Sequence, residues 1–214
     1  MPVKLYAVLI ADIVSSSAQR RLRSRLGTIL ALASRRHLRR KFICLPYSVT
    51  AGDEFQTVCA DVRSLPQLIL DLRVLLQPLP LRIGIGIGRI ADRIEPPVNR
   101  LSGEAFQRAR AAIDTIKFGG PFKFATLTYF VSPDASLDET LNLIYGLNDT
   151  LLSGVTHKQW NTIAAFTQNS ALANTSRQLH RDASTISRNL KRGYYWQLSE
   201  TVRTAGPLLS RAFG

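Results

Sequence analysis

The chain opens with a run that is apolar on both faces, Lys4 to Ala11 (KLYAVLIA), which predicts a strand covered on both sides in the middle of a sheet. It ends in Asp12-Ile13-Val14 and a serine cluster, Ser15-Ser16-Ser17. Serines ahead of a helical stretch predict an N-cap, and the free backbone N–H groups of a helix start suit a phosphate. From Gln19 to about Arg40, Leu22, Leu26, Ile29, Leu30 and Ala33 recur at spacings of three and four, the stripe of an amphipathic helix. Two strand-like runs follow, Phe42 to Val49 and Phe55 to Ala60, on either side of Thr50-Ala51-Gly52-Asp53-Glu54. They predict a hairpin turning at Ala51-Gly52, a register that pairs Thr50 with Asp53 and sets Cys44 opposite Cys59. Ser64 to Leu76 has helical spacing and is stopped by Gln77-Pro78-Leu79-Pro80.

Leu81 to Ile90 (LRIGIGIGRI) alternates strictly, with Ile83, Ile85 and Ile87 on one face and Gly84, Gly86 and Gly88 on the other. A glycine face on a strand implies the close approach of something: a packed helix, a second subunit or a ligand. Ser102 is the expected cap of a helix running to about Ile116, Lys123 to Val131 reads as a further strand, and Leu137 to Leu152 as a helix. Beyond Ser153 the pattern is helical throughout: His157 to Phe166, about Ala173 to Leu179, a turn at His180-Arg181-Asp182, Ala183 to Arg192, and Tyr194 to about Leu209. Leu179, Ile186 and Leu190 have the spacing of core positions in a helix-turn-helix. The expected class is α+β: a sheet domain over residues 1–152 and an all-α helix-turn-helix domain over 153–214. The order strand, helix, hairpin, helix, strand, helix, strand is that of a ferredoxin-like βαββαβ unit with an extra terminal strand.

Hydrophobic residues at 45% and charged residues at 20% are the proportions of a globular chain. The net charge of +13 is not ordinary, and it points to a polyanionic partner, nucleic acid before an anionic membrane surface. Much of it lies on the first helix and just after it (Arg20, Arg21, Arg23, Arg25, Arg35, Arg36, Arg39, Arg40 and Lys41), with no acid between Asp12 and Asp53. A second concentration falls on the third helix of the tail. There Ser184, Thr185, Ser187, Arg188, Asn189, Lys191 and Arg192 are residue types that contact phosphates and base edges of DNA. No apolar run approaches a membrane span and no export pattern opens the chain, so the expectation is a cytoplasmic protein without a membrane partner. Cys44 and Cys59 read as reduced, buried thiols, and His37, His157 and His180 are too scattered for a zinc site.

Asp12 ends the first strand and Asp53 lies at the hairpin tip; if those strands are neighbours, the two carboxylates converge at one edge of the sheet. Two hard oxygen ligands with room for phosphate suit magnesium or manganese. The segments AVLIADIVSSS, TAGDEFQ, RIGIGIG and GEAFQRARAAI occur in the order and approximate spacing of class III nucleotide cyclases and GGDEF domains. With the tail included, the chain resembles the SatD family, a small cyclase-like palm domain followed by a helix-turn-helix. The resemblance implies two metal ions on Asp12 and Asp53, with the Ile13 carbonyl nearby and Glu54 matching a metal-associated glutamate. It further implies phosphates at Ser15, Ser16 and Ser17, Gln107 at the place of a transition-state asparagine, and Arg108 or Arg110 as the catalytic arginine. Departures accompany the match: Val49 stands at a base-selecting lysine, Ala111 at the expected arginine, and Ala51 at the first glycine of GGDEF. Beside the bland reading of a structural palm-like domain with neither activity, its acidic turn only a turn, two readings stay open. One is a DNA-binding regulator, dimeric, whose palm domain binds a magnesium–purine nucleoside triphosphate. The other is an active nucleotidyl cyclase or small nucleotide polymerase that releases pyrophosphate by two-metal chemistry.

Overall fold

The computed structural model describes residues 4–14, 25–120, 122–124 and 126–214. Strand β1 (Tyr6–Ile13) is central because it is apolar on both faces, and after Tyr6 every residue of it is buried. It pairs antiparallel with β3 (Glu54–Cys59) on one side and β4 (Leu81–Gly88) on the other. The edges are β2 (Ser48–Ala51), antiparallel to β3, and β5 (Thr128–Val131), parallel to β4, giving a mixed five-stranded sheet in the order β2-β3-β1-β4-β5. Among the described residues the α-helices are α1 (Leu26–Arg39), α2 (Leu65–Leu76), α3 (Glu104–Lys117), α4 (Ala135–Ser153), α5 (His157–Asn169), α6 (Leu172–Leu179), α7 (Ala183–Arg192) and α8 (Tyr195–Phe213). The class is therefore α+β, as the pattern predicts.

Side-chain alternation splits β1 between two layers. Ala7, Leu9, Ala11 and Ile13 join the main core with Leu30 and Ala33 of α1 and Leu68, Leu72 and Leu76 of α2. Val8 and Ile10 face the opposite way, with Val58 of β3 and Ala105, Ala109 and Ile113 of α3. The glycine face of β4 now has its explanation. A β-carbon built on Gly86 would stand 2.1 Å from the Ala105 carbonyl oxygen and the Ala109 nitrogen, and one on Gly84 2.6 Å from the Ile113 nitrogen. What approaches the strand is the backbone of α3. A buried ion pair fastens the other edge: Asp149 of α4 meets Arg73 of α2 at 2.5 Å and accepts from the Leu127 and Thr128 N–H groups, each at 2.7 Å.

Four expectations need correcting. The hairpin turns at Gly52-Asp53, with Gly52 at φ 61°, because a bulge between Val49 and Ala51 shifts the register so that Ala51, not Thr50, begins the turn and lies opposite Glu54. Before β2 the pairing is separate: Cys59 bridges to Ile43 and the Cys44 N–H donates to the Val58 carbonyl, so the cysteines, both free, are not directly opposed. Helix α3 is entered through Gly103 at φ 130°, not capped by Ser102, whose N–H and hydroxyl both go to Asp92. The strand expected from Lys123 shortens to Thr128–Val131.

The tail shares core clusters with the sheet segment. Trp160, Ile163, Phe166, Ile186, Leu190 and Leu198 share one cluster with Leu70 of α2 and Leu152 of α4. Ala205 and Leu209 of α8 sit in the main core below the sheet. Among the described residues, no helix is long and apolar enough to cross a membrane.

Candidate carboxylate site and helical tail

Strand pairing places Asp12 and Glu54 side by side. With Ala11 opposite Phe55, the next residues outward are Asp12 on β1 and Glu54 on β3, both directed to the α3 side with Ile10. Both are buried, Asp12 at 7% and Glu54 at 9% exposure, and a buried carboxylate needs compensation. It comes from three cations. Lys117, at the last turn of α3, sets its Nζ 2.9 Å from Asp12 Oδ2 and 3.4 Å from Glu54 Oε2. Arg110, two turns earlier, donates from both Nη atoms to Glu54 at 2.9 and 2.8 Å, the two-pronged geometry guanidinium favours. Arg82 lies opposite Asp12 on β4 and reaches Oδ1 at 3.5 Å. The Thr50 hydroxyl adds a bond to Glu54 Oε1 at 3.0 Å.

These contacts set the charge states. The Arg110 hydrogen bonds hold the Glu54 carboxyl down at about 2, against the opposing effect of burial. Burial works against the Lys117 charge, but the bond to Asp12 and the proximity of Glu54 outweigh it and raise the ammonium above its ordinary value. The Arg110 guanidinium is likewise raised, chiefly by its bond to Glu54.

In the tail, α5 begins with a reciprocal cap: the Thr156 N–H donates to Gln159 Oε1 at 2.7 Å while the Gln159 N–H donates to the Thr156 hydroxyl. Helix α6 ends in left-handed His180 at φ 50°, which turns the chain into α7. Ile186 and Leu190 are fully buried against Ile163. Ser184, Ser187, Arg188, Lys191 and Arg192 are exposed, and Thr185 is half-buried. Asn189 turns partly inward and donates to the Thr162 hydroxyl at 3.3 Å, so it belongs to the packing of α7 on α5.

A family model described as the SatD family matches residues 6–192. The chain belongs to the SatD family. No protein among the curated ones matches it. Among the solved structures it is similar to is a regulator of polyketide synthase expression from Bifidobacterium adolescentis, with 15% identity over 97% of this chain and 81% of that one and a TM-score of 0.29. So loose a likeness bears no further weight.

In this SatD-family chain the expected site residues divide. Asp12, Glu54 and Arg110 come together. Asp53 is half-buried in the turn beside them. Ile13 is buried in the ladder opposite Leu81, on the face away from Asp12. Arg108 bonds to the Ile87 carbonyl oxygen at 2.6 Å and buttresses α3 on β4, and Gln107 is exposed. Ser15, Ser16 and Ser17 lie outside the described residues. Reading the sequence alone misses Lys117 and Arg82. Lys117 falls seven residues after Arg110, on the same helical face, which could have been read had the helix been extended one residue past Ile116.

Magnesium takes oxygen ligands and keeps much of its water, so one or two free carboxylates serve it. Asp12 and Glu54 are carboxylates of the right kind, but a lysine ammonium already lies between them and Arg110 occupies both oxygens of Glu54. Among the described residues, no group of three or more His, Cys, Asp or Glu side chains could hold a metal ion. As the side chains stand, the donor set does not fit a divalent cation.

Proposed function

We propose that this protein is a DNA-binding regulator whose contact with DNA is made by α7. The observation that carries the reading is the exposed row Ser184, Ser187, Arg188, Lys191 and Arg192 on a helix whose other face, Ile186 and Leu190, is buried. Hydroxyl and cationic side chains on a helix held rigidly by its neighbours are what a major groove and its phosphates take. A net charge of +13 adds affinity that does not depend on sequence. The strand order β2-β3-β1-β4 favours a ferredoxin-like, palm-type frame for the remainder of the chain. Within it the carboxylate pair acts as an ion-pair lock between β1, β3 and α3, with Lys117 in the place a metal would take. Two copies would pair through α4 and α8, where Leu143, Leu147 and Trp196 are exposed and α4 carries no lysine or arginine.

The test is gel-shift titration of pooled genomic fragments at several salt concentrations, with and without magnesium–ATP or magnesium–GTP. The parent is expected to bind with a steep salt dependence. Arg188→Ala with Lys191→Ala should lose about tenfold or more in affinity and shallow the salt slope by about two, one for each phosphate contact. Equal binding by parent and double variant would sink the assignment to α7. Nucleotide is expected to change neither DNA affinity nor melting temperature, and a shift abolished by Asp12→Ala would restore the metal–nucleotide reading.

A further inference from the structure

Between α1 and the tail lies a cavity of about 360 Å³ that the DNA-binding reading does not use. One wall is cationic, with Arg36 in the last turn of α1 and Arg40 at the residue that caps it. The facing wall carries hydroxyl groups: Ser170 at the end of α5, and Tyr195 and Ser199 in the first turns of α8. The carboxylate in the lining, Asp71, is 2% exposed and already engaged. It accepts from Arg40 at 2.9 Å and from Gln67 at 2.8 Å, and His37 Nε2 lies 3.5 Å away. Burial pushes the Asp71 carboxyl up, but the bonds from His37 and Gln67 and the charges of Arg40 and Arg36 outweigh it and hold it ionised below its usual range. Two guanidinium groups against one carboxylate leave the cavity cationic. Among the described residues, Arg36, Ser170, Tyr195 and Ser199 spend no side-chain hydrogen bond on the protein.

We propose that this cavity binds a small oxyanion-bearing metabolite, with its phosphate or carboxylate group on Arg36 and its remaining acceptors on the hydroxyls of Ser170 and Ser199. A guanidinium presents paired donors that match either anion. Tyr195 is the first residue of a 19-residue helix, and its positive end favours the same charge. The carbonyl end of α5 at Ser170 opposes it, so the anion belongs on the α1–α8 side of the cavity. Helix α8 follows α7 after only Gly193 and Tyr194, and the Tyr195 ring packs edge-on to Phe166 of α5 at 5.1 Å. A ligand that draws α5 and α8 onto α1 therefore fixes the seating of α7. Linkage then requires ligand and DNA each to alter the affinity of the other by the same factor. The binding step stands independently; only this coupling rests on the DNA-binding reading.

The probes are pyrophosphate and citrate, titrated calorimetrically into the full chain at constant ionic strength. Arg35→Gln and Arg36→Gln remove the same charge from neighbouring positions on α1, but only Arg36 lines the cavity. At least one probe is expected to bind the parent and Arg35→Gln alike, with tenfold or greater weakening in Arg36→Gln. Ser199→Leu, which fills the opposite wall without changing charge, should weaken binding as much. The preferred probe tells whether the natural ligand carries phosphate or carboxylate. Equal weakening in the two arginine variants would reduce the effect to surface charge and overturn the proposal, as would no binding of either probe. DNA affinity is then measured with the better probe present. Cavity binding with no DNA binding by any variant would refute the DNA reading and leave the cavity standing, whereas DNA binding indifferent to the probe would refute the coupling.

Discussion

At the scale of single residues, the protein turns on one strand register. A one-residue shift in a hairpin moves every side chain to the other face of the sheet. The pairing of β1 with β3, Ala11 opposite Phe55, puts Glu54 beside Asp12, and the bulge between Val49 and Ala51 leaves Asp53 in the turn. Lys117 and Arg110 then close the pair. The lowered Glu54 carboxyl has a consequence for stability. Its value of about 2 in the folded protein lies below the ordinary 4.5, so it stabilises fully above about pH 4.5 and its contribution is lost as pH falls toward 2. Because Arg110 is partly open to solvent, the loss should be about 1–3 kcal/mol rather than the full Coulombic value. Urea unfolding at pH 6, 4 and 2.5 checks this. Glu54→Gln should be less stable than the parent at pH 6 and should show a flatter decline with acid, and an unchanged slope would show that Glu54 is not the group responsible. Arg110 and a hairpin turn were legible as candidates in the sequence, although the turn falls one residue later than the expected Ala51-Gly52. Lys117 was not singled out, because its role exists only once α3 lies across β1 and β3.

At the scale of elements, β4 and α3 are made for each other. The alternation of isoleucine and glycine in Leu81–Gly88 declares a close approach but cannot say by what, since helix, subunit and ligand leave the same pattern. The structure answers with α3, seated so near that side chains are excluded at Gly84, Gly86 and Gly88. Gly86→Ala should therefore force the helix outward and cost about 3 kcal/mol, near the upper end for overpacking. The same displacement draws Arg110 and Lys117 away from Glu54 and Asp12, so the variant should also lose part of the acid-dependent stability. Gly27→Ala, at a position where an added carbon meets nothing within 4 Å, is the control and should be neutral or slightly stabilising. Equal melting temperatures for Gly86→Ala and the parent would contradict this packing. Helix α7 shows the opposite balance: its bounds, Ala183 to Arg192, and its buried Ile186 and Leu190 follow from spacing alone, because an amphipathic helix states its own two faces.

At the scale of the whole molecule, the compositional change near Ser153 marks the start of the helical tail but not the limit of the first core. Leu70 of α2 packs into the tail cluster, and Leu209 and Ala205 of α8 pack under the sheet. Leu209 is fully buried, and its side chain alone is worth about 2 kcal/mol of apolar burial. A fragment of residues 1–152 should consequently unfold at a distinctly lower urea concentration than the full chain, or fail to remain monomeric through its uncovered α2 face. An unchanged midpoint would show the tail to be an independent module. The shared core also gives the cavity beside Arg36 its meaning, since a ligand there touches both parts of one packed body.

By itself the sequence determined the local and the periodic: the central strand, the order of elements, the amphipathic helices, the helical tail and the cationic character of the chain. These follow from spacing and composition, which act between neighbours along the chain or sum over all of it. The tertiary structure alone decided what depends on contacts between distant segments. It chose the residue that stands beside Asp12, the cations that hold the pair, the helix that fills the glycine face, and the return of α8 to the first core. Each is an interaction between surfaces dozens of residues apart, and no local pattern records which two surfaces will meet.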